Sequence, residues 1–297
     1  MERIKGYIIA TRPWSFTMSL ISVSVGTLLA AEEGPILWGW FALTAIGMVL
    51  FHGAANVLND FFDTRYQVDQ ADSPTSLYRP HPLLTGMFTR RQLLVEVFIL
   101  LLMTAAIGLF LSFQRSLLVL WIGLIGFLLG MFYTAWPIMF KYRAWGELAV
   151  FIVWGPLVVE GAYIVQRQAF SLKALYISVP FGILVALVLF ANNMRDIAYD
   201  SRRRVKTLSI LMGRQRSLST FFGLFLSVYL NLVGMIIAGV LSPWCLLVLL
   251  SIPKAIQLFR TFSKKIPEGA DAVTAQLDTL FGLLLILSLI LNKTVPL

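Results

Sequence analysis

The chain has 297 residues, of which 58% are hydrophobic and 13% are charged, and its mean hydropathy is +0.81. A soluble globule of this length cannot cover so much apolar surface, so the composition predicts an all-α integral membrane protein. The formal net charge of +9 does not indicate a nucleic-acid partner, because the basic residues lie in short segments between apolar runs, where membrane topology accounts for them.

Nine apolar runs approach the roughly 20 residues that are needed to cross the hydrocarbon core of a bilayer. In chain order they cover residues 14–31, 36–58, 93–112, 117–136, 146–165, 174–192, 218–240, 244–259 and 276–291. Pro253 and Lys254 interrupt the eighth run, and we expect a kinked helix there. Because no linker or low-complexity segment divides the chain, residues 1–297 are predicted to form a single transmembrane domain.

Lys and Arg are distributed unevenly over the segments between these runs. If the amino terminus is cytoplasmic, the opposite side of the membrane holds only Arg115, Arg167, Lys173 and Lys293. Cytoplasmic segments carry an excess of Lys and Arg. We therefore expect a cytoplasmic amino terminus in the cell membrane.

Two acidic stretches follow long apolar runs, and both fall on the predicted cytoplasmic face. Residues three and four apart share one face of a helix, so Asn59, Asp60 and Asp63 are expected to project from one side, with Asn56 one turn back. In the second stretch, the residues spaced four apart form a single stripe; they are Asn192, Asp196 and Asp200. Such charges are costly at the edge of a hydrocarbon layer unless a cation or polar partner offsets them.

Magnesium prefers hard oxygen ligands and is commonly held by a few carboxylates together with substrate phosphate oxygens. We therefore hypothesise that Asn59, Asp63, Asp196 and Asp200 hold magnesium with a diphosphate between them. The alternative is that these residues are solvated helix ends. Two matched clusters on one membrane face favour the metal site.

Basic and aromatic residues near the same face supply candidates for diphosphate and substrate contacts. Arg donates through a fork and Lys acts as a point charge, and the candidates are Lys141, Arg143, Arg195 and Lys206. Each of them also fits the positive-inside tendency. Tyr133 is expected either to stabilise a carbocation through its ring or to anchor the membrane interface. His52 and His81 are expected to be structural.

The two acidic stretches resemble the signatures of the UbiA superfamily of membrane prenyltransferases, N-D-x-x-D-x-x-x-D and D-x-x-x-D. Residues 59–63 and 196–200 match these signatures well. One departure is visible, because Gln67 stands where the first signature has its last Asp, and the next acid is Asp69. This longer spacing resembles the menaquinone branch, which comprises the MenA-like enzymes and the vertebrate UbiA-domain enzymes. Residues 52–56, 141–143, 146–148, 155–157, 192–196 and 206–208 are similar to the same branch.

The resemblance implies a nine-helix bundle around a central cavity, in which magnesium holds a polyprenyl diphosphate. It further implies transfer of the polyprenyl group to an aromatic acceptor, most simply 1,4-dihydroxy-2-naphthoate, with loss of carbon dioxide and release of diphosphate. The resemblance also implies roles for individual residues. Magnesium would be bound by Asn59, Asp63, Asp196 and Asp200, with Asp60 as a further ligand or supporting partner, and Asp69 would orient or deprotonate the acceptor. Diphosphate contacts would come from Lys141, Arg195 and Lys206, and substrate contacts from Asn56, Arg143 and Asn192.

Other functions remain open from the sequence. The acceptor could instead be 4-hydroxybenzoate, homogentisate, haem, a chlorophyllide or a glycerol-phosphate ether lipid. A cation-coupled transporter would place its carboxylates near the bilayer midplane, whereas these acids lie at helix ends. A structural membrane protein that retains the fold would not need both motifs.

Overall fold

The computed structural model describes residues 2–203 and 205–295. Within these residues, nine helical segments are long and apolar enough to cross a membrane. The predicted all-α, nine-span membrane architecture is therefore confirmed.

Twelve α-helices follow one another along the described residues. Their bounds are α1 (Glu2–Ala10), α2 (Phe16–Ala30), α3 (Trp38–Arg65), α4 (Pro74–Tyr78), α5 (Arg90–Gln114), α6 (Leu117–Thr134), α7 (Gly146–Ile152), α8 (Val158–Arg167), α9 (Leu172–Asp200), α10 (Leu208–Ile237), α11 (Ile252–Lys264) and α12 (Ala270–Thr294).

Helices α3 and α9 extend beyond the apolar runs that predicted them. The second and sixth runs end at Leu58 and Asn192, but the helices continue to Arg65 and Asp200. Nothing in either acidic stretch breaks a helix, because neither contains Gly or Pro. Both motifs therefore lie on helical turns, and their side chains have fixed directions.

Two spans are irregular. The fifth changes from α7 to α8 through a π-helical segment, Val153–Leu157, that contains Pro156. The eighth begins as a 3₁₀ helix, Pro243–Ser251, and becomes α-helical at Ile252. Pro253 then lies in the first turn of α11, where its missing N–H costs no helical hydrogen bond. The predicted irregularity of the eighth span is found at this junction.

The core of the bundle is built around α9. Its buried Phe181 and Phe190 join a cluster that includes Phe221 of α10 and Phe281 of α12. Helices α5 and α6 instead expose long apolar side chains, as expected for surfaces that face lipid. At Gly26 of α2, an added Cβ would lie 2.1 Å from the Val159 carbonyl oxygen, so this glycine permits the close approach of α2 to α8.

Candidate active site

A cavity of about 230 Å³ lies where α3 and α9 end, and we call it the central cavity. Its polar end is lined by Asn59 and Asp63 of α3 and by Asn192 and Arg195 of α9. Deeper in the bundle its wall is apolar and includes Val185, Val188 and Leu189 of α9. The two acidic motifs, although more than a hundred residues apart in the chain, thus border one space with a charged end and an apolar interior.

Asp63 lies at the polar end and is almost completely buried, with 2% of its surface exposed. Its Oδ2 atom lies 2.5 Å from Lys141 Nζ and accepts a hydrogen bond from Asn59 Nδ2 at 2.8 Å. Its Oδ1 atom accepts a hydrogen bond from the Tyr142 hydroxyl at 2.6 Å. Burial and the nearby Asp63 raise the pKa of Tyr142, so this phenol remains a hydrogen-bond donor. Lys141 also lines the cavity.

Asp60 is fully buried and is not among the residues that line the central cavity. Arg79 contacts it through both terminal nitrogens, at 3.1 Å from Oδ2 and 2.5 Å from Oδ1, and Arg12 forms a further ion pair with Oδ1. Successive residues of a helix are about 100° apart. Asp60 therefore does not share the direction of Asn59 and Asp63, which differs from the prediction from residue spacing.

Arg12 and Arg79 line the central cavity and were not identified from the sequence. Arg12 precedes Pro13 at the start of the first span, and its position as a cation at the membrane edge could have identified it as a site residue. Arg79 lies in the long loop after α3, where its type and position predict no particular contact. Burial alone would lower the pKa of Arg12, but the attraction and hydrogen bond of Asp60, together with the attraction of Asp63 and Asp69, outweigh burial and raise it.

Asp69 reaches the cavity because of the way α3 ends. Gln67 adopts a left-handed conformation, with φ of 58°. The Val68 N–H then donates to the Asp63 carbonyl at 2.8 Å, and the Gln67 N–H donates to the Thr64 carbonyl at 3.2 Å. This is a Schellman motif. It folds the chain back, so that Asp69 lines the same cavity as Asp63.

Asp69 is buried and faces the imidazole of His81, whose Nε2 lies 3.5 Å from Asp69 Oδ2. Burial alone would raise the pKa of Asp69, but the contact with His81 and the attraction of Lys141 outweigh burial and lower it. His81 Nδ1 faces the Leu83 and Leu84 N–H groups at 3.3 and 3.4 Å, which leaves Nε2 to carry its proton toward Asp69. His81 thus supports the loop, in agreement with its predicted structural role.

The second motif is organised by Arg195. Its Nε and Nη2 atoms donate to the two carboxylate oxygens of Asp196, both at 2.7 Å. Nη2 also donates to Asn192 Oδ1 at 2.8 Å. Asp196 and Asp200 are buried and do not border the cavity directly. The motif thus presents Asn192 and Arg195 to the cavity, and Asp196 lies behind Arg195 as its hydrogen-bond partner.

The remaining predicted residues divide into two groups. Asn56 and Tyr133 line the central cavity, and Asn56 Nδ2 donates to the Thr11 carbonyl at 2.9 Å. Arg143 and Lys206 are exposed, and the structure does not bring their side chains to the cavity. Their backbones pair, because the Lys206 N–H donates to the Tyr142 carbonyl at 3.1 Å. This pairing holds the loop after α9 against the loop that carries Lys141.

His52 forms part of a directed hydrogen-bond network in the cavity wall. Ser15 Oγ donates to the Arg12 carbonyl at 2.8 Å, so it must accept from His52 Nε2 at 3.2 Å. Ser19 Oγ accepts from Trp154 Nε1 at 3.0 Å, so its own proton is donated to His52 Nδ1 at 2.8 Å. The imidazole is neutral in this arrangement, with its proton on Nε2. His52 is therefore a packed, hydrogen-bonded residue, as predicted.

The chain was compared with known proteins. The model of the UbiA prenyltransferase family matches residues 19–290. The chain belongs to the UbiA prenyltransferase family. It is therefore an enzyme, a prenyltransferase.

The relatives of this UbiA prenyltransferase include a 1,4-dihydroxy-2-naphthoate octaprenyltransferase of Bacillus subtilis (strain 168). That protein is 29% identical over 291 residues, which cover 95% of this chain and 91% of the relative. The human UbiA prenyltransferase domain-containing protein 1 is 31% identical over 300 residues, which cover 98% of this chain and 85% of the relative. The resemblance to this branch of the family, drawn from the spacing of Asp63 and Asp69, is thus confirmed.

Solved structures with the same fold include a UbiA homologue from Aeropyrum pernix K1, with a TM-score of 0.72 and 18% identity over 94% of this chain and 98% of that one. Another is a UbiA homologue from Archaeoglobus fulgidus bound to GPP and Mg²⁺, with a TM-score of 0.69 and 15% identity over 98% of this chain and 100% of that one. At these identities the likeness establishes the fold of this UbiA prenyltransferase.

The donor atoms of the site suit a hard divalent cation, because both motifs offer carboxylate and amide oxygens. Among the described residues, one group of three acids or imidazoles lies close enough together to hold an ion, and it consists of Asp60, Asp69 and His81. Two arginines already neutralise Asp60 there. Asp63 and Asp196 each face a single cation that also borders the cavity, which makes the motif acids the better candidate ligands of this UbiA prenyltransferase.

Proposed function

We propose that this UbiA prenyltransferase catalyses the magnesium-dependent transfer of a polyprenyl group from polyprenyl diphosphate to 1,4-dihydroxy-2-naphthoate, with release of diphosphate. The observation that carries the proposal is the placing of two carboxylate–cation pairs, Asp63 with Lys141 and Asp196 with Arg195, at the polar end of an otherwise apolar cavity. The name of the Bacillus subtilis relative supports the choice of acceptor.

The polar end of the cavity is suited to a diphosphate. Lys141, Arg195, Arg12 and Arg79 all line it and can donate hydrogen bonds to phosphate oxygens. Asn59, Asp63, Asp196 and Asp200 are the proposed magnesium ligands. Bound magnesium would act as a Lewis acid toward the departing diphosphate. Lys206 and Arg143, which are exposed in this structure, remain predicted contacts.

The apolar interior is suited to the reacting carbon chain. When the bond from the allylic carbon to the diphosphate oxygen breaks, positive charge develops on that carbon, and water would consume it. Phe51, Val185, Val188 and Leu189 line this region, and their apolar side chains would exclude water from it. Tyr133 lines the same cavity, and its ring is the proposed partner of the developing cation.

The acceptor is proposed to bind beside Asp69, with Asn56 and Asn192 as polar contacts. The ring carbon that carries the carboxylate then bonds to the allylic carbon, and its bond to the carboxylate breaks to release carbon dioxide, with the bonding electron pair restoring the aromatic ring. Asp69 orients the acceptor, or takes up the proton of an acceptor hydroxyl group and returns it once the ring is restored. We place this chemistry at the cytoplasmic face of the cell membrane, following the distribution of Lys and Arg. The assignment of residues 1–297 to a single domain remains a prediction.

The test is an assay of diphosphate release and prenylated product with purified protein in detergent. It supplies geranyl or longer prenyl diphosphate and compares 1,4-dihydroxy-2-naphthoate with 4-hydroxybenzoate, each with magnesium and with a chelator. We expect product from the naphthoate alone, lost on chelation and restored by added magnesium. Product from 4-hydroxybenzoate alone would refute the proposed acceptor, and turnover that persists without divalent metal would refute the metal site.

A further inference from the structure

The outer face of α11 changes from apolar to basic along its length. Pro253 and Ile256 lie near the start of the helix, Arg260 and Lys264 lie near its end, and all four are exposed. At 1.5 Å per residue, they span about 16 Å along the helix. A surface groove of about 200 Å³ follows this face. We call it the α11 groove, and its lining residues are Pro253, Ile256, Gln257, Arg260, Thr261 and Lys264.

The opposite face of α11 fixes the direction in which the groove points. Leu258 and Phe262 are buried in the core cluster around α9. The Phe262 ring stacks on the Phe221 ring of α10, with 5.1 Å between the ring centroids and 6° between the ring planes. At about 100° per residue, Arg260 and Lys264 lie roughly 160° around the helix from this buried face. The packing of the core therefore holds both cations toward the outside of the bundle.

The two basic side chains of the groove lack an acidic partner. In the part of the chain that the structure describes, no ion pair includes Arg260 or Lys264. Lys254, the third basic residue of α11, instead donates to Gln276 Oε1 at 3.0 Å. Like charges four residues apart on a helix destabilise each other. An anion bound between Arg260 and Lys264 would remove this repulsion.

The basic end of the groove lies at the same end of the bundle as the acidic motifs. Lys264 is followed by a short connection to α12, which begins at Ala270, and Asp271 of α12 lines the central cavity. Arg195 Nη1 donates to the Glu268 carbonyl in this connection at 2.8 Å. None of the six groove residues lines the central cavity. The groove is therefore a separate feature at the membrane edge, and its apolar part lies deeper in the bilayer than its basic part.

We propose that the α11 groove binds one anionic phospholipid, with its phosphate at Arg260 and Lys264 and an acyl chain along Pro253 and Ile256. Charge complementarity carries the proposal, because a bilayer offers phosphate at the depth of its headgroups and hydrocarbon below them. A zwitterionic lipid fits the groove less well, since the two basic side chains repel the cation of its headgroup.

Two other molecules carry the same phosphate chemistry. Inorganic phosphate has no apolar part to place on Pro253 and Ile256, so it uses only half of the groove. A prenyl diphosphate has both parts, but the central cavity offers it four cations, whereas the groove offers two. Both observations favour a membrane lipid as the occupant of the groove.

The measurement is the dissociation constant of phosphatidylglycerol, determined by native mass spectrometry of the purified protein in a neutral detergent. Phosphatidylcholine is the zwitterionic probe. We expect the protein to bind one phosphatidylglycerol about tenfold or more tightly than it binds phosphatidylcholine, because each basic residue near an anionic headgroup strengthens binding roughly fivefold.

Three variants separate the charge of the groove from its apolar part. The double variant Arg260→Gln/Lys264→Gln should weaken phosphatidylglycerol binding by about thirtyfold. Ile256→Ala keeps the charge and should weaken binding by about fivefold, because it removes part of the apolar wall. The matched control Arg214→Gln/Arg216→Gln removes the same charge from exposed residues near the start of α10 and should change binding less than about twofold. Because all of these side chains are exposed, the midpoint of thermal unfolding in the detergent should stay at the wild-type value.

Four outcomes would overturn the inference. Equal affinities for phosphatidylglycerol and phosphatidylcholine would exclude an anionic lipid site. Equal losses in the groove variant and the α10 control would mean that only the net charge of the protein matters. Displacement of the lipid by an equal concentration of inorganic phosphate would mean that the groove binds a free anion. Displacement by an equal concentration of geranylgeranyl diphosphate would make it a donor site. These measurements read lipid binding and not prenyl transfer, so they stand whether or not the proposed function holds.

Discussion

Asp60 is expected to support the fold and the position of two arginines, in contrast to Asp63. Its carboxylate is fully buried and forms ion pairs with Arg12 and Arg79, whose side chains are 19% and 9% exposed. Asp60→Asn keeps the shape of the side chain and removes its charge. The two guanidinium groups then remain largely buried without their counter-charge.

The expected cost follows from this burial. Removing one partner of a buried ion pair costs about 3–5 kcal/mol, because the remaining charge is left uncompensated. For a chain of a few hundred residues, 1 kcal/mol corresponds to about 2–4 °C in the midpoint of thermal unfolding. We therefore expect Asp60→Asn to lower the midpoint by roughly 10 °C. The KM for the donor should also rise, since Arg12 and Arg79 line the central cavity.

The assay is thermal unfolding in detergent, read by tryptophan fluorescence, on a double-mutant cycle of Asp60→Asn and Arg79→Gln. The matched control is Asp72→Asn, since Asp72 is 74% exposed and lies 3.8 Å from Arg203. An exposed pair of this kind contributes about 0–1 kcal/mol, so the control should shift the midpoint by no more than about 3 °C. A wild-type midpoint for Asp60→Asn, or strictly additive effects in the cycle, would refute the reasoning.

The other predictions concern the polar end of the site and the end of α3. Asp63→Ala or Asp196→Ala should abolish prenyl transfer while gel filtration still shows a folded protein, and wild-type-like turnover at saturating magnesium would contradict the assignment. Lys141→Met should lower kcat by about 10²–10³-fold, which is the usual loss when one charged donor to the reacting group is removed. Lys141→Arg should recover part of this kcat. Equal rates for the two variants would argue against a diphosphate contact. Gln67→Gly should raise the midpoint of thermal unfolding by about 2 °C, because glycine adopts the left-handed conformation without strain. Gln67→Val should lower the midpoint. The opposite order of the two midpoints would contradict the Schellman geometry. In titration calorimetry, magnesium should raise the affinity of the protein for an unreactive donor analogue about tenfold or more. The analogue should raise the affinity for magnesium by the same factor. Binding of the metal and the analogue independently of each other would contradict a shared site.

The sequence was sufficient to predict the nine spans and the meeting of the two motifs. Apolar runs of membrane length leave few alternatives, since every backbone polar group must be satisfied within the bilayer. Helix ends were harder to predict. Residues 59–65 and 193–200 are polar enough to end an apolar run, but the helical hydrogen bonds continue through them. The π-helical segment before Val158 depends on how Gly155 packs against Gly182 of α9, which no local pattern records.

The contacts of the acids were not predictable from residue spacing. Arg12 reaches Asp60 across 48 residues of sequence and Lys141 reaches Asp63 across 78. Such pairs depend on which helices pack together. The return of Asp69 to the cavity depends on a single backbone angle at Gln67, a residue type that only infrequently adopts positive φ. The shifted spacing therefore looked like a departure from the family signature, although the folded chain brings an acid to the same cavity.

The pairing of Asp60, Asp63 and Asp196 with cations has a physical reason. Several carboxylates at the edge of a hydrocarbon layer would repel one another and lose hydration, and Lys141, Arg195, Arg12 and Arg79 offset both costs. A diphosphate that enters alone would face Asp63, and a divalent cation that enters alone would face Lys141 and Arg195. On the proposed function, a donor that arrives with magnesium would let Asp63 turn to the metal while Lys141 turns to a phosphate oxygen. The arrangement would then favour the magnesium diphosphate complex over either component, and it would couple the charge of the site to the presence of the donor.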